Sequence, residues 1–358
     1  MKILHVITNT ELGGAQKVCI DLCSSAIAEG NSVAVASMAG GFLWNQLPKE
    51  VQQIQLINMV KPICLKKDFR VLFELKKAIK TYNPDIIHLH SSKAGVLGRL
   101  ASIFRAKRVV YTVHGFDSIR KKYRIFLPLE RILQFFCGAI VGVSEYDKKN
   151  LLSEGIRKNI NVIYNGISNK AISPAVDFPV KLPDKKVVLT IARIAPPKQF
   201  KLFIDVALEL PDYTFIWIGG SPNYSIDELK SVYAIPKNVI LLGDVPNASN
   251  YIHFCDLFIL LSDFEGLPMT IIEAMCQKKA IVASNVGGIP ELVDNSNGRL
   301  VKNELIEVCS AINELLSNND LINKMEEESY KKYEKSFTLR NTWNGYRTIY
   351  SSLLNNKE

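Results

Sequence analysis

The sequence predicts two successive doubly wound α/β domains, and three observations carry that reading. Short Val- and Ile-rich runs alternate with amphipathic stretches from the first residues; one proline-rich segment interrupts the alternation; a second series of strands then follows. At 358 residues the chain is too long for one ordinary core. Its 47% hydrophobic and 22% charged residues are those of a soluble globular protein.

The first series comprises KILHVIT (2–8), SVAVAS (32–37), IQLIN (54–58), DIIHLH (85–90), RVVYTVH (108–114) and AIVGVS (139–144). Between the first two lies AQKVCIDLCSSAIAEG (15–30), where Val18, Leu22 and Ala26 mark one helix face and Gly30 a glycine cap. The longest apolar candidate, 126–144, carries Glu130 and Arg131 and breaks at Gly138, so it reads as a helix followed by a buried strand. The segment 169–186 has three prolines and no period and is the expected linker. The second series is KVVLTIA (186–192), YTFIWIG (213–219), NVILLG (238–243), DLFILLS (256–262), KAIVASN (279–285) and GRLV (298–301). The expected division is therefore an N-terminal domain, 1–168, the linker 169–186, and a C-terminal domain, 187–337. A terminal helix over 338–354 is expected to pack back on the first domain.

Seven scattered cysteines without a C-x-x-C, and an opening MKILHVIT that runs straight into a strand pattern, point to reduced thiols in the cytoplasm. The net charge of +9 is unevenly placed. Residues 1–168 hold 24 Lys+Arg against 12 Asp+Glu, or +12; the remainder holds 20 against 23, or −3. An anionic partner facing the first half is implied. The basic clusters 105–108 and 120–124 sit among Phe104, Phe116, Tyr123 and Phe126, a combination suited to docking on an anionic bilayer or to a plain solvated basic face. No recognition motif for nucleic acid accompanies the charge.

The stretch SDFEGLPMTIIEAM (262–275) is the most informative. Glu265 falls at the carboxyl edge of a parallel sheet, where such folds bind ligands. Pro268 suits the first turn of the following helix, and Glu273 lies about five residues into it. The backbone N–H groups of Met269 and Thr270 lie between the two acids and can receive a phosphate. A nucleotide-sugar offers hydroxyls at both ends and a diphosphate in the middle. A pair of capping or surface glutamates would give the same spacing.

In IARIAPPKQF (191–200), Arg193 and Lys198 stand after a strand and before a helix, placed to neutralise a diphosphate or simply to be solvated. In TNTELGGAQ (8–16), Gly13 and Gly14 let backbone approach a ligand or merely form a tight turn. The absence of G-x-G-x-x-G disfavours a nicotinamide enzyme. His88 and His90 share a strand face, and His114 ends another strand beside a glycine. Two ligands without a local Cys or Asp are too few, and no metal is expected. His5 and His253 look unremarkable; Cys19 and Cys23 read as core, and Ser144 as a helix cap.

In order along the chain, LGGAQ, IIHLHSSKAGVLGRLAS, VVYTVHGF, AIVGVSE, VIYNGI, ARIAPPK, IGGSP, LLGDV, SDFEGLPMTIIEAM and VGGIPELV resemble glycosyltransferase family 4, and nearly the whole chain is covered. The resemblance implies the GT-B fold, two Rossmann-like domains across a cleft, and retaining transfer from a nucleotide-sugar. It looks most like the members that build bacterial surface polysaccharides, capsule among them, on lipid carriers. By matching position, Arg193 and Lys198 would hold the diphosphate, Glu265 the donor sugar and Glu273 the ribose. His114 would touch the sugar, and Gly13 and Gly14 would line the phosphate and acceptor side of the cleft. Gly219, Leu267, Pro268, Met269 and Thr270 would border the donor, with backbone near Val245 meeting the base. His90 and Ser91 would lie toward the acceptor, and Arg99 toward the acceptor or the phosphate. The implied partners are a UDP-sugar (a GDP-sugar being the alternative), a lipid-linked saccharide and the inner face of the cytoplasmic membrane; no cofactor or metal is implied. A sugar-nucleotide epimerase of the same fold, or a catalytically silent assembly subunit, would share the architecture. Two positions depart from the family pattern: Ala192 replaces the usual Gly before Arg, and Gln199 the usual Gly after Lys.

Overall fold

The computed structural model describes residues 1–355 apart from 12, 170–172 and 174–176. It divides into two compact units: Met1–Gly166 together with the chain from Leu339 onward, and Ile167–Thr338. Part of the expected linker, 169–186, lies outside the described residues.

The N-terminal unit is built on seven parallel strands: β1 (Lys2–Ile7), β2 (Ser32–Met38), β3 (Gln52–Leu56), β4 (Ile86–His90), β5 (Val109–Val113), β6 (Ala139–Gly142) and β7 (Ile160–Val162). Their order is β3-β2-β1-β4-β5-β6-β7. The chain winds outward from β1 in one direction, then returns to start again at β4. The carboxyl ends of β1 and β4 therefore flank the switch point at which doubly wound sheets bind ligands. Five of the six expected strands of this series are completely or almost completely buried, as a sheet covered on both faces requires. The half-buried edge strand β7 has three residues, too few for an apolar run to announce it in sequence.

The first helix, Gly14–Ala28, buries Val18, Cys19, Leu22, Cys23 and Ala26. It ends where Gly30 takes φ +76° and the N–H groups of Gly30 and Asn31 bond back to Ile27 and Ala26. Ser144 caps the helix Glu145–Ser153, its hydroxyl accepting from Asp147 N at 3.0 Å. The terminal helix, Leu339–Asn355, belongs to this unit: it buries Trp343, Tyr346, Ile349 and Tyr350, and Thr342 donates to Tyr164 O at 2.9 Å.

The C-terminal unit carries six parallel strands: β8 (Val187–Ile191), β9 (Thr214–Ile218), β10 (Val239–Gly243), β11 (Leu257–Leu260), β12 (Ile281–Ser284) and β13 (Gly298–Val301). Their order is β10-β9-β8-β11-β12-β13. Here the switch point lies between β8 and β11. The chain segments that leave those two strands are the ones carrying Lys198 and Glu265.

Candidate active site

In the C-terminal unit, the loop after β8 and the loop after β11 are laced together by backbone. Gln199 N donates to Leu261 O at 3.0 Å, and Asp263 N donates to Pro197 O at 2.9 Å. This sets Lys198 opposite Ser262 and brings its ammonium onto Glu265 Oε1. Ser262 Oγ donates to the same carboxylate oxygen at 2.7 Å. Behind them, Ser284 Oγ accepts from Ser262 N at 2.9 Å and donates to Asn303 Oδ1, whose amide donates to Ser262 O at 3.0 Å. Nothing in the sequence marks Ser262, Ser284 and Asn303: they are small polar residues at three separate strand ends, joined only by the fold. Glu265 Oε2 is left out of these bonds among the described residues, so it keeps lone pairs for a hydroxyl.

Arg193 is exposed and, among the described residues, enters no ion pair. The site thus offers one cation held by a carboxylate and one free cation on the same βα loop. The helix Met269–Cys276 begins directly after Pro268, which precedes its first turn and does not occupy it. The N–H groups of Met269 and Thr270 receive no protein acceptor among the described residues, and such groups favour an anion. Glu273 is the fifth residue of this helix and is buried at 7% exposure. Leu267, Pro268 and Met269 are buried beside it.

Two glycines are required by close approach. Gly219, at φ +129° after β9, leaves no room for a Cβ, which would sit 2.2 Å from Ala192 O. That same carbonyl accepts from Trp217 Nε1 at 2.7 Å. Gly287, at φ +61° after β12, packs on the backbone of Glu265, where a Cβ would lie 1.9 Å from its carbonyl oxygen. Gly287 therefore shapes the Glu265 loop, and the only sequence sign of it was the VGG after a strand. Val245 follows β10 at the same sheet edge. Gln199, one of the two departures from the family pattern, has φ −87° and ties its amide to Asp263, so its backbone does not need glycine.

In the N-terminal unit, the residues expected to matter also cluster at the switch point. Gly13 caps the first helix in extended geometry, and Gly14 is its first residue. Across the gap after β4, Ser91 adopts φ +70°, ψ 155°, a region almost confined to glycine, and its hydroxyl meets Thr8 Oγ1 at 2.8 Å. Strain of this kind costs about 1–3 kcal/mol and concentrates where ligands bind. Thr8 Oγ1 also accepts from Ala94 N at 3.1 Å.

The histidines form a connected group. His5 Nδ1 lies 3.0 Å from His90 Nε2, and His90 Nδ1 lies 3.1 Å from His114 Nε2. His88 bonds through Nδ1 to Tyr350 OH at 2.6 Å and through Nε2 to Thr112 Oγ1 at 2.7 Å; Thr112 in turn meets Tyr346 OH at 2.9 Å. His5, which looked unremarkable in sequence, is the buried end of the chain. Burial pushes His5 down to about 3 and His114 to about 4, and holds His88 and His90 well below the ordinary imidazole value. The unfolded chain binds protons below about pH 6.5 that the folded chain refuses, so stability is full above that pH and falls as pH drops. Between pH 6.5 and 5, His5 alone contributes a loss of about 2 kcal/mol. Asp21, pushed up to about 6 by burial, and Glu326, also raised by burial, act in the opposite sense, but they are two groups against four. Urea midpoints should be clearly lower at pH 5 than at pH 7, and equal midpoints would contradict the buried neutral cluster.

Arg99 requires a correction. It is fully buried, with Nη2 donating to both Glu130 oxygens at 2.9 and 2.7 Å and Nε to Gly95 O at 2.8 Å, and it stacks on the Tyr111 ring at 4.4 Å. A guanidinium so enclosed holds helix to helix and cannot reach an acceptor. One set of metal-type ligands comes together among the described residues, His5, Cys19 and His90, all within 4.8 Å. Its facing imidazole nitrogens are already engaged with each other.

Comparison with known proteins follows the same division. A glycosyltransferase family 4 domain matches residues 12–170 and a glycosyl transferases group 1 domain matches 175–332. The chain is 28% identical over 350 residues to the O-antigen biosynthesis glycosyltransferase WbnH of Escherichia coli, covering 96% of this chain and 97% of that one. It is 28% identical over 384 residues to UDP-Gal:alpha-D-GlcNAc-diphosphoundecaprenol alpha-1,3-galactosyltransferase of the same species, covering 100% and 98%. Anabaena HepE, solved with UDP and glucose, shares the architecture with a TM-score of 0.83 at 22% identity, over 98% of this chain and 100% of that one.

Proposed function

Because this chain belongs to the glycosyltransferases, with a family 4 domain followed by a group 1 domain, we propose that it is a retaining enzyme of surface-polysaccharide assembly. It moves a hexose or N-acetylhexosamine from a UDP-sugar to a hydroxyl of a lipid-linked saccharide, a GDP-sugar being the alternative donor. The observation that carries the reading is the Lys198–Glu265 pair at the C-terminal switch point, with Arg193 and the Met269–Thr270 amides free beside it. The similar galactosyltransferase is named for a UDP-sugar donor and a diphosphoundecaprenol-linked acceptor, which supports this choice of substrates.

Breaking the anomeric C–O bond leaves an oxocarbenium-like sugar and a nucleoside diphosphate that carries one more negative charge than it did in the donor. Arg193, Lys198 and the helix N-terminus answer that charge as it develops, which is the kind of preorganised stabilisation that lowers a barrier most. Once Lys198 turns to phosphate, Glu265 is released to accept from sugar hydroxyls, while Glu273 takes the ribose. Same-face attack by the acceptor hydroxyl, its proton passing to the departing phosphate, gives retention without a covalent nucleophile. Two side-chain cations meet that charge, and no metal is called on. Gly219 and Val245 border the base, and the N-terminal sheet edge, with Gly13, Gly14, Ser91 and His114, receives the acceptor and a sugar contact; His90, expected on the acceptor side, is fully buried with both ring nitrogens engaged and does not reach it. Incubation with radiolabelled UDP-sugars and a lipid-linked saccharide should yield an α-linked product from an α-donor; inverted product, or a UDP-sugar isomer formed without acceptor, would overturn this reading.

We assign the enzyme to the inner membrane surface. No helix among the described residues is long and apolar enough to cross a bilayer. Phe104 and Ile125 stand out at 99% and 81% exposure among Arg105, Lys107, Arg108 and Arg124. The helix Leu65–Tyr82 adds a second stripe, with Leu65, Phe69 and Phe73 exposed at successive turns beside Lys66, Lys67 and Arg70. Apolar wedges flanked by cations suit an anionic headgroup layer. The protein should sediment with phosphatidylglycerol vesicles and not with phosphatidylcholine ones, and F69S/F73S should weaken that binding. Equal recovery with both vesicles would remove the membrane from the account.

A further inference from the structure

The hydrogen-bonded row His5–His90–His114 ends in two different ways, and the difference fixes its polarity. Three neutral imidazoles carry three N–H groups. Two of these lie in the bridges, His5 Nδ1 to His90 Nε2 at 3.0 Å and His90 Nδ1 to His114 Nε2 at 3.1 Å. The third must lie at one end of the row. If all three rings are Nε2–H, it lies on His5 Nε2, which is buried with no hydrogen-bond partner. If all three are Nδ1–H, it lies on His114 Nδ1, at the half-buried end of the row beyond β5. A buried N–H without an acceptor is far rarer than a lone pair without a donor, so the second arrangement is the stable one. Mixed arrangements break a bridge, because two donors or two acceptors then face each other.

We infer that His5 and His90 are positioning residues that hold His114 as a neutral Nδ1–H hydrogen-bond donor, its Nε2 already occupied by His90. The ring then offers a bound ligand one directed N–H and no basic nitrogen, so it binds an oxygen and cannot take a proton. Which ring nitrogen of a histidine carries the proton is set by what its other nitrogen meets, and here the setting runs two residues deep. The geometry is stiffened from below: the His88 ring centroid lies 4.0 Å from that of His90, and His88 is itself held by Thr112 and by Tyr350 of the terminal helix. The use made of that N–H rests on the sugar contact proposed above; the tautomer itself does not.

The test is a two-bond ¹H–¹⁵N correlation spectrum of protein labelled in its five histidines, assigned by single substitutions. His5, His90 and His114 should all show the Nδ1–H pattern, the minor form of free histidine. His90→Asn keeps an amide where His90 Nδ1 stood and should keep His114 in that form, whereas His90→Leu should release it toward Nε2–H. An Nε2–H pattern on His114 in the wild type, or no change in His90→Leu, overturns the relay. In turnover assays His90→Leu should lose about tenfold to a hundredfold, as when a partner orienting a ligand-binding imidazole is lost, and His90→Asn much less. If His114→Ala turns over normally while the Nδ1–H pattern is present, the relay stands and the sugar contact falls.

Discussion

Replacing Lys198 by Ala is expected to lower kcat by about two to three orders of magnitude, the usual cost of removing one group that stabilises charge in the transition state. The fold should hardly notice. The Lys198 and Glu265 side chains are only 18% and 14% exposed, but Glu265 keeps its bond from Ser262, and the loops stay laced through backbone. A urea midpoint near that of the wild type, measured beside single-turnover rates, separates chemistry from folding. Turnover within a few-fold of the wild type would remove Lys198 from the departing diphosphate.

Glu130→Ala should act in the opposite way, costing stability and sparing nucleotide binding. Arg99 would then keep its charge inside the N-terminal unit with no carboxylate to meet it, and breaking a buried pair in this manner costs about 3–5 kcal/mol. Arg99 Nη1 already lacks a partner among the described residues, so the enclosure has no spare acceptor to offer. Removing both charges with an apolar pair, Arg99→Met with Glu130→Leu, should recover most of the loss. Chemical denaturation of the three proteins checks both statements, and an unperturbed Glu130→Ala would show that the pair is dispensable.

The strands were legible because parallel strands buried on both faces read as unbroken Val and Ile runs. The strand β7 was not, being three half-buried residues at an edge. At the site, charge next to a strand end marks Lys198 and Glu265, which meet because a doubly wound sheet brings such ends to one edge. Arg99, placed toward the acceptor or the phosphate only by its match to the family pattern, lies on a helix face turned inward. Nothing in sequence marks Glu130 as its partner, because they are joined only by packing. The histidine row was half visible: alternation placed His88 and His90 together, yet His5 and His114 join them only through the order β1-β4-β5. Gly287 and Asn303 escaped notice for a similar reason, as their roles are defined by what the Glu265 loop needs behind it.

A crystal structure with UDP at saturating concentration tests the central claim most directly. The diphosphate is expected against the Met269 and Thr270 amides with Arg193 and Lys198 turned onto it, the ribose at Glu273, and the Lys198–Glu265 pair opened. A nucleotide bound away from the β8–β11 edge, or phosphates that leave Lys198 still closed on Glu265, would contradict it.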